Sequence, residues 1–288
     1  MRRKKLSNDL SLPYKFLLYF LVLIMLLTMI VPLINVLATA FSSTLGSMRP
    51  GIRLWPDEWT TEGFRVVWNQ ANLSRAFFNS VFVSGMATFI QMLLSAFAGY
   101  VILQKDLPGK KFIISFILLT MMIPGDLTLM ATFSLNRSLG FLNTYRGLII
   151  NGLISGFSII LMRNYFLSVP TSLAESARID GASEFKIFWR VYLPLSLPGL
   201  ATLSFLEFTG KWNSMILPMI ITTNESMFTL PVLLRAMIFD ISGQSGTTFI
   251  GPNVISAGIV ITIIPLVVFY AFAQRFLIKG ITLGAEKG

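Results

Sequence analysis

Residues 169–198 read VPTSLAESARIDGASEFKIFWRVYLPLSLP and form a polar segment between two apolar runs. Ser172, followed three residues later by Glu175, is a capping box and predicts the start of a short helix. Asp180-Gly181 predicts the end of that helix, because glycine tolerates the left-handed backbone that is common at helix ends. We therefore expect a helix, a glycine turn and a second helix, and we call this segment the elbow.

The second helix of the elbow is expected to begin at Ser183, which is placed to cap it, and to end at Pro194 and Pro198. One face of this helix carries a stripe of aromatic residues at helical spacing, namely Phe185, Phe188, Trp189 and Tyr192. The stripe is predicted to pack against the ends of the chain's own apolar helices. The alternative is an amphipathic helix that lies in the lipid headgroup region.

The composition is that of a membrane protein, since 54% of the 288 residues are hydrophobic and only 12% are charged. The absence of histidine and cysteine removes thiol nucleophiles, histidine acid–base catalysis, zinc sites and disulfides. The net charge of +10 could suggest nucleic acid. In a membrane chain it is better explained by basic loops on the cytoplasmic side, so no nucleic-acid partner is expected.

Six apolar runs are long enough to cross a bilayer, which predicts an all-α membrane protein with a single domain over residues 1–288. The predicted spans are about 16–38, 77–103, 112–135, 147–167, 199–221 and 254–277. Ala38-Thr39-Ala40 resembles a signal-peptidase site, but the run before it is longer than a signal peptide needs, so the first span is expected to be retained. Pro124-Gly125-Asp126 is expected to break the third span, and Pro265 the sixth.

Six spans place both termini on one side, and most of the 23 Lys and Arg residues fall on that side together with the elbow. The positive-inside bias therefore makes the elbow and both termini cytoplasmic. Residues 41–75, with three tryptophans, are predicted to be a folded outer loop with a short interfacial helix.

No Walker A motif is present, so energy for any uphill transport must come from a partner. The string Glu175-Ser-Ala-Arg-Ile-Asp-Gly-Ala-Ser183 resembles the EAA loop of bacterial ABC-importer permeases, in particular the MalG-type branch that takes up carbohydrates. Further matches occur in order along the chain: Asn79-Ser80, Ala98-Gly99-Tyr100, Leu107-Pro108-Gly109, Met122-Ile123-Pro124, Trp212-Asn213, Phe228-Thr229-Leu230-Pro231 and the glycine-rich end Gly280–Gly288. The chain departs from the family at Ser176, where alanine is usual, and at Glu286, where an apolar residue is usual.

The resemblance implies the six-helix fold of a type I ABC-importer permease (MetI/MalG-like) in a bacterial plasma membrane, with no enzyme activity of its own. The elbow would be the coupling helix that sits on an ATP-hydrolysing cassette subunit. The implied coupling residues are Glu175, Ser176, Ala177, Asp180, Gly181 and Ala182. The implied partners are two ATPase subunits that hold ATP and Mg, a second permease of MalF type, an extracytoplasmic solute-binding protein and membrane lipid. No cofactor or metal is implied in this chain.

The fifth span carries polar residues that are costly at membrane depth, and they are expected to face a cavity or each other. These candidates for the solute path are Glu207, Thr209, Lys211, Trp212 and Asn213. The alternative is structural, since Glu207 and Lys211 are four residues apart and can form an ion pair along the helix. Asp126, next to the break in the third span, is a weaker candidate for the same cavity.

Other classes of function remain open at this stage. A permease for a non-sugar solute would have the same elbow. A membrane-embedded enzyme would have to work with scattered carboxylates, serines and Lys211. A channel or stand-alone secondary transporter would leave the elbow without a purpose, and the internal repeats common in secondary transporters are not seen.

Overall fold

The structure is a computed structural model that describes residues 12–69, 72–240 and 250–285, without the side chains of Asp126, Phe239, Asp240 and 276–285. Within these ranges the only regular secondary structure is helical, as the composition predicts. The described residues divide into two compact units. The first comprises the residues up to 71 together with 237–261, and the second comprises 72–236 together with the residues from 262 onward.

The first unit contains α1 (Leu12–Ala40), α2 (Thr44–Ser47), α3 (Glu62–Asn69) and the adjoining parts of two later helices. The segment after α1 is folded and carries short helices, as expected for residues 41–75. Arg53 organises it, because its guanidinium donates to the carbonyl of Gly46 at 2.5 Å and lies 3.7 Å from the Asp57 carboxylate. The backbone N–H of Arg53 also donates to Asn35 Oδ1 at 2.7 Å, which ties the segment to α1.

The second unit is built around α4 (Leu73–Leu103), a helix of 31 residues. The helices that follow α4 in the chain are α5 (Lys110–Met121), α6 (Leu129–Ser138), α7 (Tyr145–Ile150), α8 (Gly156–Phe166), α9 (Thr171–Ile179), α10 (Glu184–Ile187), α11 (Leu193–Leu195), α12 (Leu197–Trp212), α13 (Ile216–Ile221), α14 (Leu230–Asp240) and α15 (Pro252–Ala285). Short 3₁₀ helices lie at Gly125–Thr128 and Glu225–Met227, and a π-helical turn lies at Phe188–Tyr192.

Breaks divide the middle spans differently from the sequence-based expectation. The break near Pro124 is confirmed, because α5 ends at Met121 and a 3₁₀ helix begins at Gly125. The fourth span, expected to be continuous, is divided between α7 and α8, where Gly152 has a φ of +77°. The expected interruption at Pro265 is wrong, because α15 runs through it; in membrane helices, neighbouring groups and local adjustment can satisfy the carbonyl that a proline leaves free.

Three helices among the described residues are long and apolar enough to cross a membrane: Leu12–Ala40, Leu73–Leu103 and Pro252–Arg275. A fourth crossing is possible if Glu184–Leu195 and Leu197–Trp212, which meet at 77°, act as one bent span. The predicted third, fourth and fifth spans are each made of shorter helices. The count of six spans therefore stays a prediction.

Glycines let helices of the second unit approach closely. A Cβ atom on Gly99 of α4 would lie 2.9 Å from the backbone nitrogen of Arg163 and 3.1 Å from Met162 Cβ in α8. A Cβ atom on Gly199 of α12 would overlap the ring of Tyr165. Small residues at such crossings are the usual means by which membrane helices pack backbone to backbone. The contacts bring α4, α8 and α12 together beside the elbow.

Candidate functional sites

The turn of the elbow has the geometry that Asp180-Gly181 predicts. Helix α9 ends at Ile179, and Gly181 adopts a left-handed φ of +76°. The N–H of Ala182 donates to the carbonyl of Ala177 at 2.9 Å, and the N–H of Gly181 donates to that of Arg178 at 3.0 Å. These two bonds are those of a Schellman motif, which satisfies carbonyls that the helix end would leave free.

The capping box predicted at Ser172 and Glu175 is wrong. Helix α9 begins at Thr171, so Pro170 occupies the cap position and no side chain makes a cap hydrogen bond there. Ser172 is the second residue of the helix and has helical rather than cap geometry. Glu175 is exposed to solvent and is left available for other contacts.

The second helix of the elbow starts as predicted and continues slightly further. Ser183 Oγ accepts a hydrogen bond from the backbone N–H of Lys186 at 3.4 Å and caps α10. The π-helical turn precedes Pro194, which has no N–H to continue the α-helical ladder. The helix then ends at Leu195, between the two prolines that predict its end, and Ser196 is the cap residue after it.

The aromatic stripe is divided between a buried and an exposed half. Phe188 and Tyr192 are buried, and the Phe188 side chain is only 1% exposed. The ring centroid of Phe188 lies 4.6 Å from that of Phe97, and that of Tyr192 lies 5.0 Å from that of Tyr100, both on α4. The predicted packing of the stripe against the chain's own apolar helices is therefore confirmed for these two residues.

The exposed half of the elbow contains most of the predicted coupling residues. Glu175, Ser176, Asp180 and Gly181 are exposed, and the neighbouring Ile179 side chain is 87% exposed. The other two predicted coupling residues are partly buried against the aromatic cluster: Ala177 and Ala182. The elbow thus has a base fixed in the core and a tip of acidic, small and apolar groups.

Glu184 is a central residue of the elbow that the sequence did not single out. Its carboxylate accepts two hydrogen bonds from the Arg178 guanidinium, with Nε–Oε1 at 2.6 Å and Nη2–Oε2 at 3.2 Å. It also accepts a hydrogen bond from the Tyr100 hydroxyl at 2.5 Å. The hydrogen bonds from Arg178 and Tyr100 hold the pKa of Glu184 below its usual value. An acidic residue in the first turn of α10 was the available signal, but its partner Tyr100 is 84 positions away.

A row of buried polar residues runs along one face of α4, at the intervals expected for one side of a helix. We define the polar seam as four residues of α4 together with polar residues of α8 and α12: Ser84, Thr88, Gln91, Ser95, Ser158, Glu207 and Thr209. Four of its oxygens are buried and make no hydrogen bond with any described residue: Thr88 Oγ1, Gln91 Oε1, Ser95 Oγ and Thr209 Oγ1. A buried polar atom that makes no hydrogen bond costs about 1–3 kcal/mol of stability.

Glu207 and Lys211 do not form the ion pair that their spacing of four residues allows. Glu207 Oε1 accepts a hydrogen bond from Ser158 Oγ, which in turn accepts one from Gln91 Nε2 at 3.3 Å. Lys211 Nζ donates to the carbonyl of Gly152 at 3.2 Å. In the described structure the two charged groups therefore bond to α8 and to the break between α7 and α8, and not to each other.

The remaining candidates for the solute path differ in exposure. Trp212 is 1% exposed, and its indole N–H donates to the carbonyl of Thr262 at 3.1 Å, which is the environment of a core residue. Asn213 is exposed at the end of α12. The side chain of Asp126 and the whole of Glu286 lie outside the described residues.

Two of the sequence motifs that carry the family resemblance contact each other. Asn79 Nδ2 donates to the carbonyls of Ser226 and Phe228, each at 2.9 Å. Ser80 Oγ accepts from the N–H of Leu230, the first residue of α14, at 2.7 Å. The start of α4 thus holds the segment before α14, at the opposite end of α4 from the elbow.

Comparison with known proteins gives the family. A model of the binding-protein-dependent transport system inner membrane component matches residues 91–283, which include the elbow and the seam from Gln91 onward. The chain belongs to this family. It is 32% identical to the arabinooligosaccharide transport permease AraQ of Halalkalibacterium halodurans over 89% of this chain and 91% of that protein. It is also 30% identical to the polygalacturonan/rhamnogalacturonan transport permease YtcP of Bacillus subtilis over 96% of this chain and 98% of that protein.

A solved structure agrees with this assignment. One chain of a bacterial ABC transporter that imports the acidic polysaccharide alginate superposes with a TM-score of 0.85 at 25% identity, covering 94% of this chain and all of that chain. A chain of a methionine ABC transporter has the same fold, with a TM-score of 0.55 at 17% identity. The protein is therefore an inner-membrane transport subunit of an ABC importer, and ATP hydrolysis belongs to separate cassette subunits.

Proposed function

We propose that this chain forms one half of the translocation path for a carbohydrate or carbohydrate-like solute. The support is that the relatives are named for arabinooligosaccharides and for polygalacturonan or rhamnogalacturonan, and that the similar solved transporter imports alginate. The other half of the path would be a second, non-identical permease. Two ATPase subunits would supply the energy with ATP and Mg, and an extracytoplasmic binding protein would deliver the solute.

The proposed topology has six crossings, with the elbow and both termini in the cytoplasm. Three crossings would be the long helices α1, α4 and α15. The other three would be the broken segments 110–138, 145–166 and 197–221, in which short helices cross the membrane together. Broken helices are tolerated at membrane depth where they lie against protein or line a cavity. The excess of Lys and Arg on the side of the elbow supports this orientation.

The elbow would act as the coupling element between the ATPase and the spans. Its buried base, formed by Phe188 and Tyr192, ties it to α4, while Glu175 and Asp180 are free to meet basic groups of a partner. A short capped helix with a fixed base moves as one piece when its tip is pushed. This combination of exposed tip and buried base is the observation that carries the proposal.

The solute path would run beside the C-terminal half of α12, where Glu207 and Lys211 lie on one side of the helix and Thr209 and Asn213 lie on another. Glu207, Thr209, Lys211 and Asn213 would provide donors and acceptors for sugar hydroxyls, and Trp212 would hold the end of the helix from its buried position. We expect Asn213→Ala to change the rate of uptake, or the preference among solutes, while the ATPase subunit stays bound. Uptake kinetics equal to those of the unchanged protein would remove Asn213 from the path.

Two glycine turns of the same design allow a controlled test of the coupling role. Gly140 has a φ of +68°, and the bonds from Gly140 N to Arg137 O and from Phe141 N to Asn136 O repeat the Schellman geometry of Gly181. Proline cannot adopt either positive φ. Gly181→Pro and Gly140→Pro therefore make the same backbone change in the elbow and in a loop distant from it along the chain.

The experiment purifies the assembled transporter from membranes in detergent and measures the ATPase subunit recovered per copy of this chain. We expect Gly181→Pro to insert normally but to lower the recovered ATPase about tenfold, equivalent to about 1.4 kcal/mol of association free energy, and to abolish ATP-driven uptake. Gly140→Pro should keep the ATPase bound. Normal uptake by Gly181→Pro, or equal loss of ATPase in both variants, would contradict the assignment of the elbow.

A further inference from the structure

Helix α4 is the one long unbroken helix that lies wholly within residues 72–236 of the described structure. The segments 145–166 and 197–221, which pack against it, are each interrupted, as is the segment 110–138, which packs against α8. From Tyr100 to Asn79, α4 spans about 32 Å at roughly 1.5 Å per residue. A continuous hydrogen-bonded helix keeps its length when one end is displaced, whereas a broken segment can bend at its break.

One end of α4 is joined to both helices of the elbow through a single carboxylate. Glu184, at the start of α10, accepts the hydroxyl of Tyr100 from α4 and the guanidinium of Arg178 from α9. A two-pronged bond between arginine and a carboxylate fixes orientation as well as distance. The aromatic contacts beside it also hold the elbow against α4, through buried rings that pack at defined distances and angles.

The other end of α4 is joined with equal specificity to the segment before α14. Asn79 donates to two carbonyls of this segment, and its own Oδ1 accepts from the hydroxyl of Tyr145 at 2.6 Å. The hydroxyl of Ser80 accepts from the first N–H of α14. Side chains at both ends of one stiff helix are thus bonded to segments far apart in the sequence.

We infer that Glu184 is a positioning residue that fastens the elbow to α4, and that α4 carries displacement of the elbow to residues 226–230 at its far end. This inference rests on the proposed coupling role of the elbow. It adds the route by which closure of the ATPase reaches the opposite end of the subunit, where Asn79 and Ser80 receive it.

The test measures hydrogen–deuterium exchange in the assembled transporter, with Mg²⁺ and the β,γ-imido analogue of ATP as the only added ligands. We expect the nucleotide to change exchange at residues 222–233 about tenfold in the unchanged protein, within the usual range of coupling between sites. Glu184→Gln should keep the ATPase bound but lose this change, because the amide has one acceptor oxygen where Arg178 and Tyr100 use both carboxylate oxygens. Tyr100→Phe, which keeps the ring and removes only the hydroxyl, should reduce the change as well.

Asp106→Asn is the matched control, because Asp106 is an exposed carboxylate in the turn after α4 and no described residue bonds to its side chain. It should leave the nucleotide response unchanged. A full response in both Glu184→Gln and Tyr100→Phe with the ATPase bound would overturn the inference, as would the absence of any response at 222–233 in the unchanged complex. Failure of the unchanged chain to capture an ATPase would instead overturn the proposed function.

Discussion

The elbow packs against helix α4 and the polar seam runs along it, but polar groups are bonded differently in the two regions. In the elbow, Glu184 has a hydrogen bond to each carboxylate oxygen, and Ser183 and Gly181 satisfy the helix ends. In the seam, four buried oxygens bond to no described residue. The elbow is therefore built to keep one geometry. The seam has hydrogen-bonding groups that no described residue uses, and α4, α8 and α12 are joined there by one chain of side-chain bonds, from Gln91 through Ser158 to Glu207.

The largest effect of a substitution on the free energy of unfolding is expected in the aromatic base of the elbow. Phe188→Ala removes a ring that is 1% exposed and should lower the free energy of unfolding by about 3–5 kcal/mol. Phe185→Ala removes a ring of the same size that is 65% exposed and should have a much smaller effect. Thermal unfolding of the detergent-solubilised transporter measures both, and equal shifts would mean that the base is not the stable part of the elbow.

A smaller effect is expected in the seam, where two substitutions should differ in how they change the free energy of unfolding. Ser158→Ala leaves Gln91 and Glu207 without their shared partner and should destabilise by about 1–3 kcal/mol. Thr88→Val removes a buried hydroxyl that has no partner and should be neutral or stabilising by up to about 1 kcal/mol. The same unfolding measurement applies. A loss in Thr88→Val as large as that in Ser158→Ala would show that the unpaired oxygens of the seam are satisfied in the membrane.

The smallest effect concerns pH at the elbow. Because the folded pKa of Glu184 lies below its unfolded value of about 4.3, its bonds to Arg178 and Tyr100 contribute fully above that value. The contribution is lost as the pH falls through the folded pKa. The difference in unfolding temperature between the unchanged protein and Glu184→Gln should therefore be constant from about pH 8 to 5 and shrink below about pH 4. If the difference in unfolding temperature grew as the pH fell, the pKa of Glu184 would be raised by folding and not lowered.

Local features of the elbow and of the third predicted span were predictable from the sequence because their causes are local. Gly181 and Ser183 act through bonds that span only a few residues, and the break at Pro124 follows from the ring of proline itself. The capping box failed because Pro170, two residues before Ser172, took the cap position. A two-residue shift of this kind is within the usual uncertainty of helix ends.

Features that depend on tertiary contacts were not predictable. Glu184 was missed because its importance comes from its bond to Tyr100. The spacing of Glu207 and Lys211 suggested an ion pair, but Glu207 bonds to Ser158 of α8 and Lys211 bonds to the carbonyl of Gly152. Trp212 was expected beside the solute. Its indole is buried and its N–H donates to the carbonyl of Thr262, an environment that the residue type alone does not reveal. Exposure, not residue identity, separates Trp212 from Asn213.

Asn253 gives the first unit a particular order of assembly. Its side chain is fully buried and donates to the carbonyl of Ser42 and to Thr44 Oγ1, and a Cβ atom on Gly63 would lie 2.7 Å from its carbonyl oxygen. Residues 42–63 leave the ribosome long before residue 253 has been made. At a synthesis rate of roughly 5–20 residues per second, about 10–40 s pass between the synthesis of this early segment and that of Asn253. During synthesis, these contacts of the first unit cannot form until residue 253 has been made.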